Sequence, residues 1–393
     1  MNSRLVRARR AVLSIFFVNG LILGSWVPHI PLVQEKLNVG EGILGLALLS
    51  MALGAVVFMP LSGLWSGRFG SSRVTTLTAY TYCFALPLPI LAPSLITLMV
   101  ALFIFGACTG AMDVAMNAQA VTVEKRFNKP VMSSFHGFFS LGGLVGAGIG
   151  GLALANGLSS MFHVSLICGL MLIATVTTVR HFLPKEADVS TEKPKLVLPR
   201  GPTLGLGVLA FLVLMAEGAI ADWSAVYLKN VLSTGPGLAA AGYAAFSLMM
   251  AIGRLTGDRF VANIGPVSIT RITSIIATFG LGAALLINHP AAAIVGFGFL
   301  GLGLSNLIPV IFSAAGRVPN IAPSTGIATV ATAGYFGFLV GPPLIGFIAE
   351  VLSLQIALGL VTIAIFAVSV FASLTKPAEG GGVKTKDSAP SGT

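Results

Sequence analysis

The stretch from Phe105 to Gly151 reads FGACTGAMDVAMNAQAVTVEKRFNKPVMSSFHGFFSLGGLVGAGIGG. Its first part is an apolar run interrupted by a single acid, Asp113. A polar turn with Lys125, Arg126 and Lys129 follows, and then a glycine-dense apolar run carrying His136. A helix of about 20 apolar residues crosses the hydrocarbon core of a bilayer, and both runs meet that length. A charge near mid-bilayer costs at least ~2.5 kcal/mol, so Asp113 reads first as a functional group. Two adjacent membrane spans joined by a short basic turn are therefore the unit from which the fold is built.

The rest of the chain continues in the same style. Of its 393 residues, 55% are hydrophobic and 9% are charged, against about 25% charged in a soluble globular protein. This is the composition of a polytopic membrane protein. The net charge of +10 does not indicate nucleic acid, because the bases lie at span ends and tails rather than along one face. Cys83, Cys108 and Cys168 fall inside apolar runs without metal-ligand spacing and read as packing residues. No metal site or cofactor motif is evident. The basic N-terminus leads straight into a span-length run, which reads as the first span rather than as a cleaved leader.

On length alone, twelve spans fall at 11–31, 42–65, 74–93, 95–123, 131–155, 160–182, 203–228, 236–257, 266–288, 291–315, 325–349 and 353–375. Residues 183–202 are the one polar internal stretch. The chain thus divides into a six-helix bundle over 1–182, a linker over 183–202 and a second bundle over 203–375. The tail at 376–393 is Gly-, Lys- and Ser-rich and reads as disordered. With the N-terminus inside the cell, this layout puts all but two of the 23 basic residues, Lys36 and Lys229, on the cytoplasmic side. Cytoplasmic loops carry that excess, so both termini and the linker are expected there, in the inner membrane of a bacterial cell.

The chain also repeats itself. Gly142, Gly146 and Gly151 in span 5 match Gly337, Gly341 and Gly346 in span 11 at an offset of 195. Gly110 and Asp113 in span 4 match Gly303 and Asn306 in span 10 at 193. Ser25-Trp26 parallels Asp222-Trp223 at 197, and Gly63-x-x-x-Gly67 parallels Gly253-x-x-x-Gly257 at 190. Nearly equal offsets imply two homologous halves, giving an all-α fold of two pseudo-symmetric six-helix bundles.

The turn GLWSGRFGSSR, Gly63 to Arg73, resembles the loop motif G-x-x-x-D-R-x-G-R-R of the major facilitator superfamily. Arg68, Gly70 and Arg73 fit that motif, while Gly67 replaces its aspartate. The second half offers GRLTGDRF with Asp258-Arg259. Span 5 carries GGLVGAGIGG, similar to the pattern G-x-x-x-G-P-x-x-G-G associated with antiporters, with Ala147 at the proline position. Longer stretches resemble the bacterial MosC-like and YbjJ-like branch related to fucose permeases: MDVAMNAQAVTVEKRFNKP, AEGAIADWSAVYL and GYFGFLVGPPLIGFIAE. Fucose permeases are proton symporters that use a span 4 carboxylate, so the resemblance implies that role for Asp113. They also use an acid in span 1, where this chain has Asn19.

Residue spacing orders the site candidates. Gly106, Gly110, Asp113 and Asn117 form one helical stripe. Asn19 and Trp26, seven apart, share a face and offer an amide and an aromatic ring to a sugar-like ligand. Glu217 is central in span 7, and Asp222 lies about 140° around the helix from it. That angle predicts Glu217 in the cavity and Asp222 at the outer gate. His136 is placed either to relay protons or to cap span 5. The proton-coupling candidates are Asp113, Glu217 and His136. The substrate candidates are Asn19, Trp26, Asn117, Asp222, Trp223, Asn306 and Tyr335. The conformational candidates are Gly63, Arg68, Gly70, Arg73, Gly142, Gly146, Asp258, Arg259, Gly341 and Pro342.

Together these features read as a secondary active transporter that moves a small, sugar- or polyol-like solute by alternating access, with spans 1, 4, 7 and 10 lining the cavity. No P-loop is present to hydrolyse ATP, so an ion gradient must drive uphill flux. The coupling ion reads as a proton, with sodium left open, and the protein as a monomer in the lipid bilayer. Two alternatives stand beside this reading: a proton antiporter exporting drugs or metabolites, and a non-transporting sensor or intramembrane enzyme. The spans contain no H-E-x-x-H or Ser/Lys dyad to serve the last.

Overall fold

The computed structural model describes residues 3–128, 131–188, 200–319 and 321–376. Most of the linker, Lys129 and nearly all of the tail expected to be disordered lie outside them. Twelve main helices are present: α1 (Ser3–Leu37), α2 (Glu41–Phe69), α3 (Ser71–Leu91), α4 (Leu95–Phe127), α5 (Met132–Ala155), α6 (Ser160–Val179), α7 (Pro202–Val231), α8 (Ala241–Ile264), α9 (Pro266–Ile287), α10 (Pro290–Ala315), α11 (Pro323–Val351) and α12 (Leu354–Val370). Eleven pass a span criterion by length and apolarity, and α12 is a shorter apolar helix of 17 residues. At 1.5 Å per residue α12 still reaches about 26 Å, close to the hydrocarbon thickness. The spans are longer than expected at several ends, most clearly in α1, where Arg4 to Arg10 already sit in helix.

Helix ends follow local chemistry. Ser94 opens α4 with a capping box, its hydroxyl accepting from Thr97 N while Thr97 Oγ1 accepts from Ser94 N. Ser159 and Ser353 cap α6 and α12 by accepting from the amides three residues on. Such caps satisfy amides that the helix itself leaves without acceptors. At the α2–α3 and α8–α9 turns, Gly70 has φ +94° and Gly265 has φ +82°. Only glycine adopts that backbone without strain, and the two positions are 195 apart.

Between membrane helices, water provides no hydrophobic drive, so small residues that let backbones touch take over the packing. A side chain on Gly142 would collide with the Phe17 carbonyl of α1, and one on Gly337 with the Phe211 carbonyl of α7. A side chain on Gly106 would collide with the Met51 carbonyl of α2, and one on Gly301 with the Phe246 carbonyl of α8. Each pair of contacts is related by an offset of 194 or 195. The repeat in the sequence is therefore a repeat in packing: α1 on α5 and α2 on α4 in one half, α7 on α11 and α8 on α10 in the other. Gly146 lies as tightly, against Leu21 and Ser25 of α1, whereas its counterpart Gly341 is looser: a Cβ added there would lie 3.3 Å from Met215 Cγ.

The halves meet along α5 with α8 and α2 with α11. Gly151 faces Gly237 and Ala240, and Gly45 faces Pro342, Pro343 and Gly346. Polar contacts reinforce one end of this seam. Lys229 pairs with Glu35, Asn230 Nδ2 donates to Gln34 Oε1 at 3.0 Å, and Gly42 N donates to Glu350 Oε2 at 3.0 Å. All three tie the 1–2, 7–8 and 11–12 connections together.

Gly142→Leu is expected to abolish folded protein, because a backbone carbonyl cannot move aside as a side chain can. Gly148→Leu, with nothing within 4 Å of its new Cβ, should express and melt like the parent. Size-exclusion profiles and melting of detergent-solubilised variants check the contrast, and equal behaviour of the two would refute the packing assignment.

Candidate functional site

A cavity of about 490 Å³ lies between the halves, within the several-hundred-Å³ range typical of small-molecule sites. It runs from Trp26 and Val27, near the clamped end, to Met132 and Ser133 at the start of α5. Besides spans 1, 4, 7 and 10, residues of α2, α5, α8 and α11 form its wall. These four are the seam helices, so they necessarily flank whatever space the seam encloses. The peripheral helices α3, α6, α9 and α12 contribute nothing to it.

Asp113 lies near the middle of α4, on the wall. Asn117 is not on the wall; its Nδ2 donates to Asp113 Oδ1 at 3.2 Å and to the Asp113 carbonyl at 2.9 Å. That amide stabilises the carboxylate without neutralising it. No base bonds to Asp113 among the described residues.

Glu217 has a base. Arg254 Nη2 donates to Glu217 Oε1 at 3.3 Å, and Arg254 Nη1 donates to Ser140 Oγ at 3.0 Å. Ser140 in turn donates to the His136 carbonyl. Arg254 therefore joins α8 to α7 within its own half and to α5 across the cavity. Counting Arg254 among the bases at the cytoplasmic surface was an error of span length: α8 continues to Ile264, and ten residues at 1.5 Å bury Arg254 about 15 Å deep.

Asp222 also lines the cavity. The 140° separation from Glu217 had placed it at the gate, but a cavity that wraps around α7 takes both acids. Trp223 does not join them; it is fully buried in the core and absent from the wall. Its counterpart Trp26 is 2% exposed, on the wall, and tilted against Phe105 at 6.4 Å between centroids. Asn19 donates to Met116 Sδ at 3.4 Å, a weak acceptor that leaves the amide available. His136 lines the cavity four residues into α5 and meets Phe16 edge-on at 5.3 Å. Tyr335 lines the cavity beside Phe338, with 6.4 Å between ring centroids.

Asn306 stands where α10 breaks, between segments ending at Leu304 and beginning at Leu307. Pro309 has no amide to donate to the Ser305 carbonyl, which removes one bond of the helical ladder there. Asn306 Nδ2 donates instead to the Gly253 carbonyl at 3.2 Å and to Ser305 Oγ at 2.8 Å. Gly253 and Gly257 leave the room that Ser305 and Asn306 occupy.

The chain fits a known family over most of its length. Residues 12–322 match the model of the Major Facilitator Superfamily. The chain belongs to the major facilitator superfamily. It is 37% identical over 357 residues to an MFS-type transporter of Yersinia pestis, covering 91% of this chain and 93% of that one. It is 38% identical over 352 residues to the membrane protein MosC of Rhizobium meliloti, covering 88% and 85%. Among solved structures it resembles a bacterial homologue of the human lysosomal transporter Spinster, inward-facing and unoccupied, with a TM-score of 0.75, 12% identity and coverage of 95% and 97%. The nucleoside transporter NupG gives 0.72 at 13% identity, covering 94% and 99%.

Within this superfamily fold, the loop motif at Gly63 to Arg73 lacks its aspartate. A side chain at Gly67 would meet nothing within 4 Å, and Gly63 is almost as open. The acid at this turn comes instead from beyond α6. Asp188 accepts from Ser71 N at 2.8 Å and from Ser71 Oγ at 2.6 Å, capping α3. Lys185 Nζ donates to the Arg68 carbonyl at 2.6 Å, and Gln119 of α4 donates to Ser71 Oγ and the Leu183 carbonyl. Residues 183–188, the start of the linker, thus pack on the first half. Arg73 makes none of these contacts, Arg259 is exposed, and the side chain of Asp258 lies outside the described residues.

Ser140, Arg254, Thr109 and Ser133 were not singled out from the sequence. None of the four left a signal there: with span 8 expected to end at 257, Arg254 reads as a base at its cytoplasmic end. Glu217→Gln paired with Arg254→Met should show a favourable coupling on the order of 1–3 kcal/mol in a thermal-unfolding double-mutant cycle, because either single change leaves the other group without its partner. Additivity of the two changes would show the bridge to be absent in solution.

Proposed function

We propose that this chain is a proton-coupled symporter that carries a small polar solute, of sugar or polyol size, across the inner membrane by alternating access. The observation that carries the proposal is the cavity between the halves, clamped at one end and holding in Asp113 a carboxylate without a base. Residues 1–182 and 203–375 act as two bodies that rock about this site, joined by residues 183–202 on the cytoplasmic side. The distribution of basic residues supports cytoplasmic termini. In that orientation the clamped end is external and the cavity opens inward. The transporter works as a monomer.

Asp113 takes the proton. A bare carboxylate in a cavity of low dielectric resists the rearrangement that would bury it further, and a bound proton removes that resistance. Glu217 and His136 stand beside the same path, with Glu217 held by Arg254. Asn19, Trp26, Asn306 and Tyr335 offer polar and aromatic contacts for the solute. Symport is favoured over antiport because proton and solute sites share one cavity without a base competing for Asp113.

Asp113→Asn mimics the protonated state. It should lose solute accumulation driven by an imposed pH gradient in proteoliposomes yet keep solute counterflow, using a solute chosen by thermal shift from a sugar, polyol and organic-acid panel. Undiminished accumulation in Asp113→Asn would pass the coupling role to Glu217. Solute leaving against an inward proton gradient would make the protein an antiporter.

Orientation has its own check. Single cysteines at Lys36 and Lys125, in a background lacking the three native cysteines, should be labelled from outside intact cells at 36 and not at 125. The reverse pattern would invert the topology.

A further inference from the structure

The charge on the cavity wall runs against that of the chain. The sequence has 23 lysines and arginines against 13 acids, yet among the described residues the wall carries Asp113, Glu217 and Asp222 against one arginine, Arg254, and the imidazole of His136. Arg254 is committed to Glu217. Among the described residues Asp113 has only the Asn117 amide. Asp222 has neither a hydrogen bond nor an ion pair among the described residues. Lys229 lies two turns beyond Asp222 on nearly the same stripe of α7 but is drawn across the seam to Glu35. Two carboxylates are therefore uncompensated, and low-dielectric walls focus their field on the occupant of the cavity.

The form of the site indicates which cation it suits. Among the described residues, no three His, Cys, Asp or Glu side chains gather closely enough to hold a metal ion; the acids are spread around the wall. The intervening surface is formed by Trp26, Phe139, Phe312, Tyr335, Phe338 and several methionines. Aromatic faces attract organic cations through the ring quadrupole, and thioethers adapt to irregular apolar bodies. A strongly hydrated metal ion gains little from either. The Trp26 indole N–H is buried without an acceptor among the described residues, so a hydroxyl or carbonyl oxygen on the same solute would complement it.

We infer that the transported solute is a small organic cation, with its protonated amine at Asp222 and its body against the aromatic wall beside Trp26. The inference rests on the transport reading above and adds a charge to its solute. Asp113 and Asp222 then serve different cations, the proton and the amine.

The test is calorimetric binding to the purified full-length protein in sodium-free buffer at neutral pH. Three probes share one ring: trans-4-aminocyclohexanol, cyclohexane-1,4-diol and 4-hydroxycyclohexanecarboxylate. The amine should bind at least about tenfold more tightly than the diol, and the acid should not bind. Asp222→Asn should bring the amine down to the level of the diol, and its elution profile and melting should show that the fold persists. Asp113→Asn should retain the preference for the amine. Equal binding of amine and diol, no binding of the amine, loss of the preference in Asp113→Asn, or displacement of the amine by sodium chloride would each overturn the assignment. The transport reading is judged apart, from spin-label distances between Glu35→Cys and Lys229→Cys. A clamped end that opens while the amine fails to bind leaves the transporter standing and removes only the cation.

Discussion

Close contact between helix backbones is the constraint on which this structure depends. In lipid, apolar side chains gain nothing by leaving one apolar surface for another, so helix pairing relies on dispersion and on how closely backbones approach. Gly142 and Gly106 in the first half, and Gly337 and Gly301 in the second, each present bare backbone to a carbonyl on a neighbouring helix. These contacts fix α1 on α5 and α2 on α4, with their counterparts in the second half. Once those pairs are set, the inward faces of α1, α4, α7 and α10 have nowhere to close, and the cavity is what remains between them.

The seam between the halves is built differently at its two levels. At the clamped end, small residues on α5 and α8 and on α2 and α11 pack directly, and polar side chains at the helix ends add bonds that water can replace. Deeper in, Arg254 is the polar bridge, bonded to Glu217 and to Ser140. A mostly buried ion pair contributes little net stability, because desolvation offsets the attraction between its members. Its value lies in specifying one arrangement of α5, α7 and α8. Under the alternating access proposed above, the Arg254–Ser140 bond is one that must exchange partners.

Helix continuity is interrupted at three places along the central helices. A 3₁₀ turn at Val27–His29 breaks α1, a π turn at Tyr227–Val231 ends α7, and α10 divides at Ser305 and Asn306. The breaks in α1 and α10 adjoin the cavity, through Val27 in one and Asn306 in the other. The α1 break is held from outside the cavity by His29, whose Nε2 lies 2.9 Å from Nδ1 of the equally buried His163 on α6. Each ring keeps one nitrogen without a partner among the described residues. The peripheral helix thus bonds to the break in a central one.

Much of this was legible in the sequence, for a physical reason. Membrane thickness sets span length, and backbone contact demands glycine at fixed intervals. Twelve spans, the internal repeat and an acid inside span 4 all follow from those requirements. The direction of each side chain did not follow. Helices that are apolar nearly all round carry almost no amphipathic signal to say which face meets lipid, core or cavity. Trp223 and Trp26 look equivalent by position, yet one is sealed in the core and the other lines the cavity. Arg254 reads as a surface base until the full length of α8 is known. The missing acid of the α2–α3 turn is supplied by Asp188, more than a hundred residues away along the chain. Composition and spacing determined which elements form and how the two halves correspond. The tertiary structure alone decided which polar groups share the cavity, because that depends on how each helix is rotated against its neighbours.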